Sequence, residues 1–469
     1  MFDDPTYDAT VLPLYGTPRN ADTDADLLSR NRDLLPHAYA APTREDLSMH
    51  ETYCIDPPGC EDADDAFSIF SVGSKTMLAI HIADPTEWIA LGSALWSDIQ
   101  KRAVTRYPSN HDPIHLMPKE LVRRASLDAG EIPKNALTVL SEIDSSTHLP
   151  TGRVKLLFST IAVTQNLTYS EAHDAAGGAG VAISAGLKIA EALATRRART
   201  APVVRTRQSK VSFLPTGPEL VCSDGKIEGM IAEFAIFANS FVAQHINCNL
   251  RGVGVFRTCS SMGKQIDSSE FFVEDIISSG IRAEYLAECA AHDLVGATEY
   301  CHFTSPIRRL ADCVCHYLVR YIALRSSRPE LPCPFTNEEL DTLSEKCLLA
   351  TKEVRLIQHQ DTKFRLMQTV SAMLRPTFPL PPNAALQLTF FVSDCKFPFL
   401  NLIVSKIDDH CVRMPYTLRT KPGERWRYDL NDLDRQTFVV RITRVGPRGR
   451  FDEGTLPELD AFAKDQFQL

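Results

Sequence analysis

Five carboxylates fall within the ten residues Asp56-Pro57-Pro58-Gly59-Cys60-Glu61-Asp62-Ala63-Asp64-Asp65. Two prolines fix φ and exclude a helix, so the segment is expected as a rigid loop. Like charges crowded this closely repel, and a divalent cation relieves them by inverting the local electrostatics. An all-oxygen donor set selects hard ions, Mg2+ or Mn2+, over zinc. The Asp-x-Asp-x-Asp-Gly order and closing glutamate of a calcium-binding helix–loop–helix are missing. Two metals held by shared aspartates are a recurring solution for phosphodiester hydrolysis, so a nuclease or phosphatase is the chemistry this loop could carry. An acidic solvated loop is the plainer alternative. The apolar runs on either side count against it.

A second group is His302-Phe303-Thr304-Ser305-Pro306-Ile307-Arg308-Arg309. Ser305 suits an N-cap and Pro306 the first helical position, so the pattern predicts a helix over 305–324 whose N-terminus faces an anion. Arg308 adds a bidentate donor shaped for a phosphate. The competing reading pairs Arg308 with Asp312 one turn on, and His316 reads as a packed, hydrogen-bonded histidine. A third signal is Arg196, Arg197, Arg199, Arg205, Arg207 and Lys210, with no acid between them. Beside a phosphodiester site such a run would track a nucleic-acid backbone.

The elements that must position these groups follow from periodicity. ETYCID, AFSIFSV and TMLAIHIAD read as strands, with Gly73-Ser74 as a turn. TEWIALGSALWSDIQKRAV has helical spacing, as do 154–165, 184–198 and the strongly apolar 229–250. Thr336 with Glu339 makes a capping box, stapled by Phe335 and Leu340, for a long helix ending near Leu374. Beyond the proline run 375–382 the texture turns to strands and fits a small β-barrel. The expected fold is α+β, in three parts: a mostly irregular acidic extension (1–50), a domain carrying these groups (51–378) and a small β-barrel (383–469).

Composition bounds the rest. The 469 residues carry 50 Lys+Arg against 59 Asp+Glu, a net charge of −9, with 44% apolar residues. Residues 1–50 hold nine acids and four bases, −5 of that total. The acidic balance therefore does not exclude a polyanion partner, because it is unevenly placed. No apolar run reaches the ~18 residues of a membrane span, and the N-terminus shows no signal-peptide core. A cytoplasmic or nuclear monomer is expected, away from membranes. Thirteen cysteines without a paired CxxC read as reduced and mostly buried.

Taken together, DPPGCEDADDAF (56–67), HIADPTEWI (81–89), IAEFAIFAN (231–239) and HFTSPIRRLAD (302–312) resemble the ribonuclease II/R (RNB-domain) family of 3′→5′ exoribonucleases. The first looks closest to the eukaryotic, exosome-associated branch. The resemblance implies that 51–378 is the catalytic domain, a mixed sheet surrounded by helices with a central channel for single-stranded RNA and release of nucleoside 5′-monophosphates, and that 383–469 is an OB-type barrel, divergent or shortened. It implies two Mg2+ ions (or Mn2+) on Asp56, Asp62, Asp64 and Asp65, with Asp64 as the central catalytic aspartate and Arg308 on the phosphate. By the same resemblance Tyr107 and Phe213 clamp the terminal bases and Tyr169 stacks near the last nucleotide, while Thr304, Ser305 and Arg309 complete the RNA-binding set. Stacking on aromatic rings suits a non-specific exonuclease.

Departures are also visible. Fifty residues are too few for the barrels that usually precede the catalytic domain. Ala125-Ser126-Leu127-Asp128 stands where Cys-Ser-Leu-Asn is common, Leu310 replaces an aromatic, and Cys259 stands where histidine is frequent. The alternative function is therefore an inactive RNA-binding or assembly protein that retains the channel.

Overall fold

The computed structural model describes residues 5–130, 132–177, 180–199, 210–214, 217–221, 225–251, 253–260, 282–373, 385–396, 399–407, 410–419, 437–445 and 448–454; for 210–214, 217–221, 359, 362–363 and from 365 on, only the backbone is described. The proline run 375–382, Arg205 and Arg207 lie outside these residues.

The core is a seven-stranded mixed sheet in the order β1-β6-β5-β4-β3-β2-β7. Its strands are β1 (Glu45–Asp46), β2 (Tyr53–Ile55), β3 (Asp65–Val72), β4 (Lys75–Ala83), β5 (Lys134–Ile143), β6 (Pro150–Ile161) and β7 (Gln165–Leu167). The β1–β6 and β2–β7 pairs are parallel, the others antiparallel. β3 and β4 form the hairpin read from the sequence, with Gly73 at a φ of 60° in its turn, where a side chain would be strained. The expected helix over 154–165 is instead the second half of β6. Leu156 lies opposite Val139 and Phe158 opposite Leu137, and this cross-strand packing decides an apolar run compatible with either period.

The described helices are α1 (Pro5–Thr10), α2 (Ala21–Arg32), α3 (Ala94–Arg102), α4 (Lys119–Ala125), α5 (Tyr169–Ala176), α6 (Val181–Ala198), α7 (Lys226–Leu250), α8 (Leu310–Leu324) and α9 (Asn337–Met373), of which α4, α5 and α6 pack on β5, β7 and β3. In α7 the buried stripe Ile227, Met230, Phe234, Ala238, Val242 and Ile246 recurs at three- and four-residue intervals, and Phe234 meets Phe67 of β3 edge-on at 5.4 Å. The capping box ahead of α9 forms as expected: Glu339 N donates to Thr336 Oγ1 (3.2 Å) and Thr336 N to Glu339 Oε2 (2.7 Å). Two short antiparallel pairs, β8 (Lys210–Leu214) with β9 (Gly217–Val221) and β10 (Val253–Thr258) with β11 (Glu284–Glu288), flank α7 in sequence. The C-terminal strands β12 (Ala385–Lys396), β13 (Phe399–Ile407), β14 (His410–Arg419), β15 (Thr437–Val445) and β16 (Arg448–Gly454) make an antiparallel sheet in the order β14-β13-β12-β15-β16. No β14–β16 pairing closes it among the described residues. No single helix among them is long and apolar enough to cross a membrane.

The N-terminal segment corrects the expectation of a mostly irregular extension. α2 is capped by Asn20, whose side chain accepts from Thr23 N at 2.8 Å. Tyr7 and Tyr15, both buried, donate to Asp361 Oδ2 of α9 at 2.8 Å each. Ser109 N reaches the same oxygen at 3.0 Å, and Arg106 donates to Tyr15 O at 2.9 Å. Buried hydrogen bonds to distant partners hold this segment, together with the buried side chains of Val11, Leu27 and Leu47. Replacing both tyrosines by phenylalanine strips a buried carboxylate of two donors. The expected loss is about 1–3 kcal/mol of stability, read by urea denaturation.

Candidate active site

The loop 56–64 leaves β2 and re-enters the sheet at Asp65. Pro57, Pro58 and Gly59 (φ 76°) shape its outward turn, closed from Cys60 N to Pro57 O at 3.2 Å. Its other end is fastened on both sides. Ala83 N donates to Asp64 O (2.8 Å), Leu127 N to Ala63 O (2.9 Å) and Ala63 N to Ser126 Oγ (3.0 Å). Ser126 thus anchors the carboxylate loop, a role its sequence context did not signal.

Inside this frame Asp64 is buried. Its Oδ1 accepts the Ile307 amide at 2.8 Å, and its Oδ2 lies 3.0 Å from Arg308 Nε in an ion pair that leaves that oxygen without a hydrogen bond. Asp62 accepts the Tyr107 hydroxyl. Asp56 Oδ2 accepts the buried Cys54 thiol at 2.9 Å, and Cys60 Sγ stands 3.7 Å from Asp62 Oδ1. The Tyr169 ring, half-buried at the start of α5, is close enough for Asp56 and Asp65 to act on its phenol, which burial and those charges push up to about 12.

Burial raises the carboxyls of Asp56, Asp64 and Asp65 above the usual range, the last to about 7. Neighbouring carboxylates add to each shift and Arg308 relieves part of it. Burial also opposes the charge on Arg308, but Asp64, Asp62 and Asp65 outweigh it and hold the guanidinium more firmly protonated. These acids are raised in the fold, so the native state binds more protons between about pH 4 and 7, and stability falls as pH rises through that window. Denaturation in EDTA should show this slope, and Asp65→Asn should flatten it.

The arginine segment differs from its prediction. α8 begins at Leu310, and Arg309 in extended conformation takes the cap position. Ser305 and Pro306 precede the helix in tight turns, because their neighbours are claimed from elsewhere. Ser305 N donates to Asp312 Oδ1 at 2.7 Å and Ile307 N to Asp64. The backbone of 308–310 pairs with 103–105 through Thr105 N to Arg308 O (3.0 Å) and Leu310 N to Ala103 O (2.8 Å). Ala103 itself sits at a φ of 60°, a strained conformation costing about 1–3 kcal/mol that these bonds hold in place. Arg309, not Arg308, pairs with Asp312 (2.9 Å). His316 bonds the Phe303 carbonyl at 3.0 Å, as a packed histidine should.

Asp56, Asp62, Asp64, Asp65, Arg308, Ser305, Tyr107 and Tyr169 are therefore brought together; Ser305 Oγ accepts from Arg308 at 3.0 Å. Tyr107 keeps an exposed ring face but its hydroxyl reaches the carboxylates, a contact no base clamp requires. Thr304 Oγ1 accepts from Asn239 (3.5 Å), and Arg309 bonds Asp312 while staying near enough for its charge to act on Asp65. Phe213 lies on β8, and its side chain is outside the described residues. Arg197 pairs with Glu233 of α7, and Glu353 with Arg106 at 3.0 Å.

The donor chemistry fits a hard divalent cation: the carboxylates share one loop, burial raises the pKa of Asp56, Asp64 and Asp65, and a buried Asp64 oxygen is left without a hydrogen bond. Among the described residues no three such side chains converge on one point as they stand.

The RNB domain family model matches residues 44–323. Exoribonuclease 2 of Cronobacter sakazakii is 26% identical over 331 residues, 60% of this chain and 51% of that protein. The chain thus spans about half the length of the curated relatives it matches. In fold it is similar to Mycoplasma genitalium RNase R, both apo (TM-score 0.72, 15% identity, 96% of this chain and 78% of that one) and in complex with ribose methylated single-stranded RNA (0.70, 15%, 96% and 75%). It is also similar to yeast Ssd1, described as a pseudonuclease (0.64, 16%, 91% and 58%). Bacterial and yeast proteins stand side by side here and do not single out the eukaryotic branch. A family match over more than half the sequence, on this sheet and this carboxylate loop, places the chain in the RNB domain family.

Proposed function

We propose that the chain hydrolyses single-stranded RNA from its 3′ end and releases nucleoside 5′-monophosphates. The observation that carries this reading is Asp64, buried between the Ile307 amide and the Arg308 guanidinium at the centre of the carboxylate loop. Asp56, Asp62, Asp64 and Asp65 would hold two Mg2+ ions. Bound there, the ions would lower the pKa of water and polarise the phosphate. The chain supplies the rest. A carboxyl with a raised pKa is suited to take a proton from the attacking water, and Asp64 has one. The water oxygen bonds to phosphorus as the bond to the departing 3′ oxygen breaks, and Arg308 offsets charge on the phosphoryl oxygens. Tyr107 holds Asp62 in place, and Tyr169 offers a ring face beside the cluster.

The second reading, a non-catalytic RNA-binding protein, is favoured by the Arg308–Asp64 pair, which occupies a carboxylate that catalysis needs free. One assay separates the two. Single-stranded RNA labelled at its 5′ end is incubated with the full chain and Mg2+ or EDTA. A ladder shortening from the 3′ end with Mg2+ alone supports the enzyme; binding without cleavage overturns it.

A further inference from the structure

Behind the arginine segment lies a group of cations that the proposed chemistry does not use. β10 carries Arg257 into the interior, where it is only 4% exposed and its Nη1 has no hydrogen-bond partner. Its guanidinium lies over the Tyr285 ring at 4.6 Å, and the Tyr285 hydroxyl meets His302 Nδ1 at 2.6 Å. His292, buried beside Tyr300 (rings 5.3 Å apart), likewise has an Nδ1 without a partner. Arg309 and His302 keep partial exposure, and Arg355 adds a third guanidinium near enough to act on Arg257. Of the carboxylates acting here, Asp312 is already bonded to Arg309, Asp64 acts on Arg309 but is paired with Arg308, and Asp293 adjoins His292.

A buried guanidinium without a carboxylate is costly. The contact with an aromatic face returns about 2 kcal/mol, less than the several kcal/mol of desolvation. Burial, then Arg355 and Arg309, work against the charge on Arg257, and burial with Arg309 and Arg257 keeps His302 neutral and able to share a proton with Tyr285. What balances this group is an anion. A phosphate offers a bidentate edge to Arg257 and further oxygens to histidine and Arg309.

We infer that Arg257, His292, His302 and Arg309 form a phosphate pocket separate from the carboxylate loop. The assignment of its phosphate to a phosphodiester of the RNA strand rests on the proposed function; the pocket itself does not. A free phosphate is the other source of the same chemistry.

The test uses the full chain in EDTA, so that binding is read without turnover. Inorganic phosphate and adenosine 5′-monophosphate are titrated by calorimetry, and a short single-stranded RNA by fluorescence anisotropy, on the native protein and Arg257→Met. Arg257→Met should weaken inorganic phosphate at least tenfold, weaken the RNA about tenfold, and lower the slope of log affinity against log salt by about 0.7. Loss of phosphate binding with unchanged RNA binding would keep the pocket and assign it to a free anion. Native-like binding of both ligands by folded Arg257→Met overturns the pocket. Should that variant fail to fold, His302→Gln is read in its place against the same outcomes. RNA binding that depends on Arg257 in a protein that never cleaves would leave the pocket standing and the nuclease reading refuted.

Discussion

Arg320→Met is expected to lower stability by about 3–5 kcal/mol, among the largest single-residue effects in the fold. Arg320 is completely buried in α8. It donates to Asp84 (2.5 Å), Glu87 (2.7 Å), Thr86 Oγ1 (3.0 Å) and Tyr39 O (2.9 Å). Arg44 completes the group at 2.7 Å from both acids. Methionine fills the volume of the stem but leaves a buried Asp84 with Arg44 as its remaining guanidinium partner. The network joins α8 to the end of β4, and so holds the arginine segment against the strand facing Asp65.

The pH dependence identifies the cause. Burial opposes the Asp84 charge, yet Arg320, His316 and Arg44 hold its carboxyl well below the usual range. Its stabilisation is therefore complete above about pH 4, the unfolded value, and is lost as pH falls through the folded one. In Arg320→Met this acid limb should flatten. Urea denaturation of both proteins between pH 3 and 7 reads both effects, the range chosen to bracket about pH 4. A loss under about 1 kcal/mol would show that Arg44 alone suffices.

Much of this arrangement was legible in the sequence because its determinants are local. Two prolines and a glycine make a loop wherever they sit, and the capping box at Thr336 forms from residues three apart. The apolar stripe of 229–250 became α7, and Asp56, Asp62, Asp64, Asp65 and Arg308 lie around one loop, where Arg308 pairs with Asp64 and, among the described residues, no three carboxylates converge on one point. What failed to show was set by distant partners. Ser305-Pro306 is a good local helix start, but Asp312, Asp64 and the 103–105 backbone claim the amides around it, so α8 starts four residues later. Residue spacing allowed Arg308 to pair with Asp312; in the fold Arg308, at the end of a turn, pairs with Asp64, and the extended Arg309 pairs with Asp312. The acidic N-terminus looked unstructured because its anchors are distant in sequence: two tyrosine hydroxyls bond an aspartate more than 300 residues away, and Val11 packs with Ile114 and Ile357.

Asp64→Asn should lower the cleavage rate by about 10³-fold or more, since it removes both the proton acceptor and the charge opposite Arg308. The fold should not suffer. Asparagine keeps the shape and can still accept from Ile307 N, and a carboxyl whose pKa is raised by burial loses little when its charge is removed. RNA binding should persist, because a negative charge beside the phosphate is gone. Activity is thereby separated from stability and affinity, which a merely structural aspartate would not allow.

The central claim is tested by single-turnover cleavage of 5′-labelled single-stranded RNA in Mg2+, native chain against Asp64→Asn, with thermal unfolding and RNA affinity recorded on both. A 3′-shortening ladder lost in the variant, at unchanged melting temperature and undiminished affinity, is the predicted result. Equal cleavage by the two proteins, or none by the native chain while it binds RNA, would contradict it.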